Sequence, residues 1–484
     1  MTARYIVVAV YALIVIGVGI YGSRHTKSFV DFMLGGRGIG PWMTAFSYGT
    51  AYFSAVLFIG FAGKIGWGFG MSGLWIAAGN AIVGVFLVWR LLGRRIKDQA
   101  VQYNVHTMPE FLEARYHSPG LKLFTSLAIF IFFIPYSAAV FMGLSYLFTS
   151  TFHLPYAFML LFMAVFTAVY LVLGGYRSMA LLDVIFGVIM SVGVVILLAS
   201  TIHKGGGLDG IVTALHRIDP RLTRIVGPPG WWPLVSLVFL TSVAPLAMPQ
   251  LVQKFYAVRD ARAVKIGMFA STFFAILVSG TAYFTGALTR IFITADSHPH
   301  IFTNVAGKLV PNFDALMPEL LTTVIHPALS VIILLLILSA SMSTLAALVL
   351  ISSSAITKDL YAGFIKPAAS DRALTRLMRL SSLLFILVSL GLAFLKPAVI
   401  VTILAISWGA IASVFLGPFL WGLFSTRLDK TGAWAGAAGG LTVCLLLFLL
   451  WGKSAVPQAG TIGMISSVLF VPIVGGAARW FGRR

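Results

Sequence analysis

Residues 321–356 read LTTVIHPALSVIILLLILSASMSTLAALVLISSSAI, without one Asp, Glu, Lys or Arg. A helix needs roughly 20 mostly apolar residues to cross the hydrocarbon core of a bilayer, and this stretch exceeds that length. Its centre is not uniformly greasy. Leu338-Ser339-Ala340-Ser341-Met342-Ser343-Thr344-Leu345 carries a run of hydroxyls, and Ser352-Ser353-Ser354 follows. Ala340 lies three residues before Ser343 and four before Thr344, so one carbonyl and two hydroxyls come near one another on one helical face. Such neutral oxygens suit a hard monovalent cation. Serines in membrane helices also bond back to their own carbonyls without any function, and the spacing leaves both readings open.

The apolar character extends outward in both directions. Of 484 residues, 59% are hydrophobic and 10% charged, against about 25% charged in a soluble domain. A soluble fold this apolar would expose greasy surface everywhere. The apolar segments recur to the C-terminus, which also excludes a signal peptide followed by a soluble domain. Thirteen spans are expected, at 4–22, 42–67, 71–93, 120–149, 155–174, 180–202, 231–253, 264–294, 321–356, 374–395, 398–425, 432–452 and 460–479. With the N-terminus outside, 24 of the 34 Lys and Arg residues fall in inside loops, as positive residues do in membrane proteins. Lys27, Lys254, Arg483 and Arg484 are among them. That bias accounts for the net charge of +20 without nucleic acid. Short amphipathic helices are expected in 94–119, 203–230 and 295–320.

Small residues, prolines and hydroxyls mark where such helices break, and freed carbonyls there can coordinate ions. Ala45-Phe46-Ser47-Tyr48-Gly49-Thr50-Ala51-Tyr52-Phe53-Ser54-Ala55 is dense in small and hydroxyl residues at mid-span. Close helix packing through small residues explains it equally well. Pro245 and Pro249 in the seventh span each remove a backbone hydrogen bond, so a kink is expected. The acidic residues, Asp183 the nearest to a span, all fall in expected loops or near membrane ends. Proton-coupled carriers usually place a carboxylate or histidine within the membrane, so this distribution favours a neutral-oxygen sodium site. Lys64 sits in an apolar segment near an outer end; it either snorkels to the interface or neutralises a substrate carboxylate.

Several functions are excluded. Cys444 is the one cysteine, which leaves no disulfide framework and no cysteine metal cluster. There is no G-x-x-x-x-G-K-[ST] loop, so no ATP motor is encoded, and energy for uphill transport would come from an ion gradient. No His or carboxylate pair has metal-binding spacing within a span, which argues against a membrane enzyme.

Taken together, these features resemble the sodium/solute symporter family, over about residues 5–450. The resemblance is carried by Asp31-Phe32-Met33-Leu34-Gly35-Gly36-Arg37, Leu173-Gly174-Gly175-Tyr176 with Asp183, Pro249-Gln250-Leu251-Val252-Gln253-Lys254-Phe255, and Met342-Ser343-Thr344-Leu345. The stretch Ser353-Ser354-Ala355-Ile356-Thr357-Lys358-Asp359-Leu360-Tyr361 is very close to the sodium/proline branch. The resemblance implies a single all-α polytopic domain of the LeuT-like, APC-type fold. Two inverted five-helix repeats would occupy about 42–202 and 231–425, with a leading helix at 4–22 and trailing helices over 432–479. It implies sodium held by the carbonyls of Thr50, Phe53 and Ala340 and the hydroxyls of Ser343 and Thr344. Asp183 would stand near the inner cation exit, and Tyr136 would face substrate, with Tyr52, Ser54, Lys64, Thr241 and Pro245 at or near the same site. Departures from the proline branch are Tyr52 for an aspartate, Val56 for a tryptophan, Phe186 for a glutamine and Lys64 for a small residue.

The expected function is sodium-coupled symport of a monocarboxylate or amino acid by alternating access in a bacterial-type inner membrane, with the C-terminus cytoplasmic. The partners would be the solute, sodium and the lipid bilayer, with no organic cofactor. A proton-coupled carrier or uniporter of the same fold, with Lys64 or Asp183 titrating, is the alternative. A transporter-like solute sensor is disfavoured by the short tail Arg479–Arg484.

Overall fold

The structure, a computed structural model, describes residues 2–25, 28–152, 154–305 and 307–482. Lys27, Arg483 and Arg484 of the charge argument lie outside the described residues. The chain opens with α1 (Thr2–His25) and α2 (Pro41–Tyr52), which has a proline in its first turn, where a missing N–H costs nothing. α2 stops at Phe53, whose backbone is extended (φ −107°, ψ 102°). α3 (residues 56–69) resumes, with wide π-type turns through Val56–Phe61. Gly70 then turns the chain at φ 57° and ψ −137°, a conformation that side-chain-bearing residues avoid. α4 (residues 71–102) follows, then the short α5 (Met108–Tyr116) and the long α6 (Pro119–Phe152).

Tyr156–Lys204 is helical throughout except at Gly175 (φ 64°, ψ −178°), which divides it into α7 (residues 156–174) and α8 (Gly175–Lys204). α9 (Gly207–Ile218) lies in the following loop. α10 (Trp231–Val243) and α11 (Pro249–Ala257) are separated by a tight turn at Ala244–Ala247 and an extended Met248 (φ −79°, ψ 117°). α12 (Ala261–Ala287) leads to an antiparallel hairpin of β1 (Phe302–Val305) and β2 (Lys308–Pro311). The remainder is α13 (Phe313–Val324), α14 (Ser330–Ile365), α15 (Asp371–Leu395), α16 (Ile400–Phe424), α17 (Lys430–Trp451) and α18 (Val456–Gly482).

Ten helical runs among the described residues are long and apolar enough to cross a membrane, and Ile6–Gly22 and Tyr156–Val169 are shorter apolar helices. Thirteen uniform spans are therefore not what the backbone presents. The second and seventh expected spans are each cut by an extended residue, and the third is continuous with the outer half of the second through the Gly70 turn. The ninth begins at Ser330, because residues 321–324 belong to α13 and Pro327 separates the two. Short helices do occur in all three connections expected to hold them (α5, α9 and α13); the third also holds the hairpin.

α14 and α16 are the most enclosed helices, whereas about a third or fewer of the residues of α17 and α18 are buried. In lipid the apolar effect does not drive helices together, and close van der Waals approach through small residues takes its place. α3 and α12 meet this way: a Cβ on Gly66 would run into the backbone of Gly286, and one on Gly286 into the backbone of Ala62. Gly286→Leu is expected to abolish correct packing, because backbone on the opposing helix cannot swing aside. Size-exclusion chromatography should show aggregated protein for this variant and a monodisperse peak for Gly280→Leu on the same helix, where a Cβ meets nothing.

Candidate functional site

The break after Tyr52 frees carbonyls that a continuous helix would satisfy. Phe53 N–H still donates to the Gly49 carbonyl at 3.1 Å. The carbonyls of Thr50 and Ala51 point instead to α14, where Thr344 Oγ1 lies 3.3 Å from each and 3.1 Å from the Ala340 carbonyl. One hydroxyl has one hydrogen to give, so the carbonyls of Thr50 and Ala51, freed by the break, compete for it with the Ala340 carbonyl, which already accepts within its own helix. Ser343 Oγ lies 2.8 Å from Thr50 Oγ1, which itself lies 2.7 Å from the Phe46 carbonyl. Thr50, Ala340, Ser343 and Thr344 are wholly buried. The C-terminal end of α2, partially negative by its helix dipole, faces this group. A buried cluster of neutral oxygens with too few hydrogens is chemically suited to a desolvated monovalent cation.

The structure thus brings together Thr50, Ala340, Ser343 and Thr344. It adds the carbonyl of Ala51, absent from the sequence expectation. Phe53 supplies the extended backbone of the break and a ring stacked on Tyr52 at 4.4 Å.

Asp183, expected just inside the sixth span, is wholly buried on α8 beside this cluster. Ser343 Oγ donates to its Oδ1 at 2.6 Å, and Ser47 Oγ donates to Oδ2. Lys254 Nζ on α11 is 3.7 Å from Asp183 Oδ2, donates to Ser47 Oγ at 2.8 Å and lies 5.2 Å from the centre of the Tyr176 ring. Lys254 is also wholly buried, although the charge pattern assigns it to an inside loop. Asp314 and Asp359 are also buried, at 2% and 0% exposed, so acids outside or near the ends of the spans are enclosed by the fold. A hydropathy window does not see partners from distant segments: Lys254 for Asp183, the Ile400 amide for Asp314 at 3.1 and 3.2 Å, Thr107 for Asp359 at 2.6 Å.

Next to the same break lies a cavity of about 30 Å³ lined by Tyr52, Phe53, Ser54, Val56, Leu57, Phe61, Asn80, Tyr136, Thr241, Tyr283, Leu404 and Trp408. It has room for about one water. Trp408 stacks on Tyr52 and meets Tyr136 edge-on, each at 5.9 Å between ring centres. Tyr52 Oη donates to the Thr241 carbonyl at 2.5 Å, which ties the end of α2 to the end of α10. Ser242 donates to Asn80 Oδ1 at 3.1 Å. Trp408 Nε1 is buried without a partner. None of the lining residues carries a formal charge.

Tyr52, Ser54, Tyr136 and Thr241 of the sequence expectation line this cavity. Lys64 and Pro245 do not. Pro245 is buried in the tight turn after α10. Lys64 Nζ lies 5.8 Å from the centre of the Phe313 ring, in the field of Asp314. Asn80, Tyr283 and Trp408 escaped the sequence reading because each is a lone amphipathic residue in an apolar span. The signal available was the single amide in Gly79-Asn80-Ala81 and the polar pair Ser407-Trp408 in the expected eleventh span.

With this geometry in view, the comparisons with known proteins become informative. Residues 32–440 match the model of the sodium:solute symporter family. The chain belongs to that family. This symporter is 27% identical to the high-affinity proline transporter PutP of Bacillus subtilis over 94% of its own chain and 95% of that one. It is 29% identical to the sodium/pantothenate symporter of Escherichia coli, covering 91% and 89%. Among solved structures it superimposes on a Na+-coupled sialic acid symporter in a substrate-bound outward-open state with a TM-score of 0.77, at 20% identity and 98% coverage of both chains. A nucleobase-cation-symport-1 family transporter, Mhp1, shares the fold more distantly, with a TM-score of 0.52 at 13% identity over 95% and 96%. These proteins are transporters and not enzymes, and this symporter is a multi-pass membrane transporter.

Two outcomes follow from the cavity and its surroundings. Lys64→Ala should leave solute affinity within about twofold, whereas Trp408→Ala should weaken it about tenfold or more by removing a buried aromatic wall; ligand-induced thermal shifts measure both. Asp314, in α13 outside the spans, is pushed up to about 6 by burial, against the pull of the Ile400 amide and Lys64. The folded state therefore holds the proton more tightly than the unfolded chain does, where an aspartate titrates near about 3.9. Stability from this group is highest below about pH 4, falls as pH rises to about 6 and is flat above. Asp314→Asn should remove that slope in thermal unfolding measured from pH 4 to 8.

Proposed function

We propose that this symporter couples sodium entry to uptake of a small organic acid or amino acid by alternating access. The observation that carries the reading is the crowding of three carbonyls, from Thr50, Ala51 and Ala340, on the one hydroxyl of Thr344. Sodium would replace the missing hydrogens, held by these carbonyls and the hydroxyls of Ser343 and Thr344. The carbonyl of Phe53, carried over from the family resemblance, stands at the adjoining turn. The break spanning Thr50 to Ser54 belongs both to this cradle and to the cavity wall. Sodium that draws α2 onto α14 would therefore order the residues that meet the solute, and the coupling is reciprocal.

The cavity lining favours a solute met by neutral donors: the Asn80 amide, the Trp408 indole and the Tyr136 and Tyr283 phenols. Proline, pantothenate and sialic acid, named in the relatives and the solved neighbour, all carry a carboxylate. In this reading the carboxylate is received by those donors and by the field of sodium, not by Lys64. Proton coupling is disfavoured because Asp183, the buried acid beside the cradle, is already engaged by Lys254. We read the breaks at Phe53 and Met248 as equivalent positions of two inverted five-helix repeats. The charge bias supports an inner membrane location with the N-terminus outside and the C-terminus cytoplasmic.

The test is uptake into liposomes from a panel of amino acids and monocarboxylates. An imposed sodium gradient should accelerate uptake of at least one compound, and an imposed pH gradient without sodium should not. Ser343→Ala and Thr344→Ala should each raise the sodium concentration for half-maximal uptake by about tenfold or more, as loss of an ion ligand does. Uptake that follows the pH gradient and ignores sodium would select the proton-coupled reading instead.

A further inference from the structure

α2, α8 and α12 enclose a hollow of about 640 Å³ that shares no lining residue with the solute cavity. Its lining is apolar apart from Ser191, whose hydroxyl is spent on the Gly187 carbonyl at 2.7 Å. Trp42, Phe46, Phe269 and Phe273 supply the rings, and Ser191 and Ala270 the small side chains that leave the space. Phe269 and Phe273 are 59% and 69% exposed on a helix long and apolar enough to cross a membrane. The hollow therefore opens toward lipid, and a polar solute finds nothing in it to bond.

The chemistry changes at the first turns of α12. Arg262 precedes Ile266 by four residues and Phe269 by seven, and Lys265 precedes Phe269 by four. Both cations thus stand on or beside the helical face that lines the hollow, and both are exposed. Arg259 is paired with Asp260 at 2.9 Å, and Asp260 also accepts from the Ala263 amide. Arg262 and Lys265 have no ion-pair partner among the described residues. The Ile39 amide donates to the Ala257 carbonyl and the Arg259 amide to the Ile39 carbonyl, which sets the starts of α2 and α12 side by side. Trp42, 60% exposed in the first turn of α2, stands at the same level, and tryptophan favours the headgroup boundary. From Arg262 to Phe273 the helix rises roughly 16 Å. That is about half of the ~30 Å hydrocarbon core, the depth of one leaflet. Two unpaired cations at the mouth of an apolar furrow one leaflet deep match a molecule with an anionic head and an acyl tail.

We propose that this hollow is a binding site for one anionic phospholipid, its phosphate held by Arg262 and Lys265 and one acyl chain laid between Phe46, Phe269 and Phe273. The chain packs against the back of the broken helix. Phe46 is edge-on to Phe274 at 5.9 Å, and a Cβ on Gly187 would strike its ring, so this side chain is wedged between α8 and α12. Its carbonyl accepts from Thr50 Oγ1 at 2.7 Å. A filled hollow holds the wedge in place and braces α2 just ahead of its break. The site does not depend on which ion the cradle takes.

Native mass spectrometry of the purified full-length protein tests this, with dioleoyl phosphatidylglycerol against dioleoyl phosphatidylcholine, which carry the same chains and differ in net charge. The wild type should retain one phosphatidylglycerol and bind it about tenfold or more tightly than phosphatidylcholine, as two basic residues at a headgroup provide. Arg262→Gln with Lys265→Gln should bring the two lipids within about twofold of each other. Arg372→Gln with Arg376→Gln, exposed cations on α15, should leave the preference intact. Ala270→Trp, which fills the hollow, should lower retention of both lipids alike, by about tenfold. If that variant is not monodisperse, Phe269→Ala with Phe273→Ala takes its place with the same expectation. Phosphatidylglycerol should also raise the unfolding temperature of the wild type, and not that of the Arg262→Gln, Lys265→Gln variant. Equal binding of the two lipids to the wild type would overturn the proposal. An equal loss of preference in the α15 variant would overturn it too, by making the preference a property of the whole basic surface. Unchanged retention in the hollow variants would remove the acyl-chain site, and a dimer that Ala270→Trp dissociates would assign the hollow to a second copy of the chain; either result overturns the proposal.

Discussion

A helix that stops in the middle of a bilayer leaves carbonyls that water cannot reach, and everything at the centre of this protein follows from how those carbonyls are met. α2 ends at Tyr52, and the carbonyls of Thr50 and Ala51 turn to Thr344 on α14. The hydroxyl has too few hydrogens for the acceptors it faces. Buried acceptors that share a donor are costly, so a positive charge placed among them would be stabilising. In the reading proposed above, that deficit is what a bound sodium ion would meet.

The same break organises the solute cavity. Tyr52 closes α2 and reaches across to the Thr241 carbonyl at the end of α10, so the two interrupted helices are joined at the point where each loses its own hydrogen bonding. Trp408 and Tyr136 complete the wall from α16 and α6. The lining is aromatic and uncharged, and the charge near it lies on the other side of the break. In the proposed reading, ion and solute would share a wall made of backbone, and a small displacement of α2 would be felt by both. Buried charge is kept out of the cavity and held in the Asp183–Lys254 pair, where removing either partner alone would cost about 3–5 kcal/mol.

The membrane class, the rough positions of the spans and the hydroxyl pair Ser343 and Thr344 were legible in the sequence because each depends on local composition and on helical spacing. Length of apolar run decides spanning, and residues three and four apart share a face whatever surrounds them. The breaks were legible too: small and hydroxyl residues flank Phe53, and Pro245 and Pro249 flank Met248. What local reading could not supply was partnership. Asp183 looks like an interfacial acid and Lys254 like a loop cation until the fold carries one to the other. Lys64 looks like a buried functional charge until the fold sets it against Phe313 and Asp314. By itself the sequence determined that this chain crosses a membrane many times, and it marked two places where helices could break and a set of neutral oxygens at mid-span. Only the tertiary structure decided which oxygens share a donor, which rings enclose the cavity and which buried charges cancel, because those depend on distances between segments hundreds of residues apart, which no window on the sequence contains.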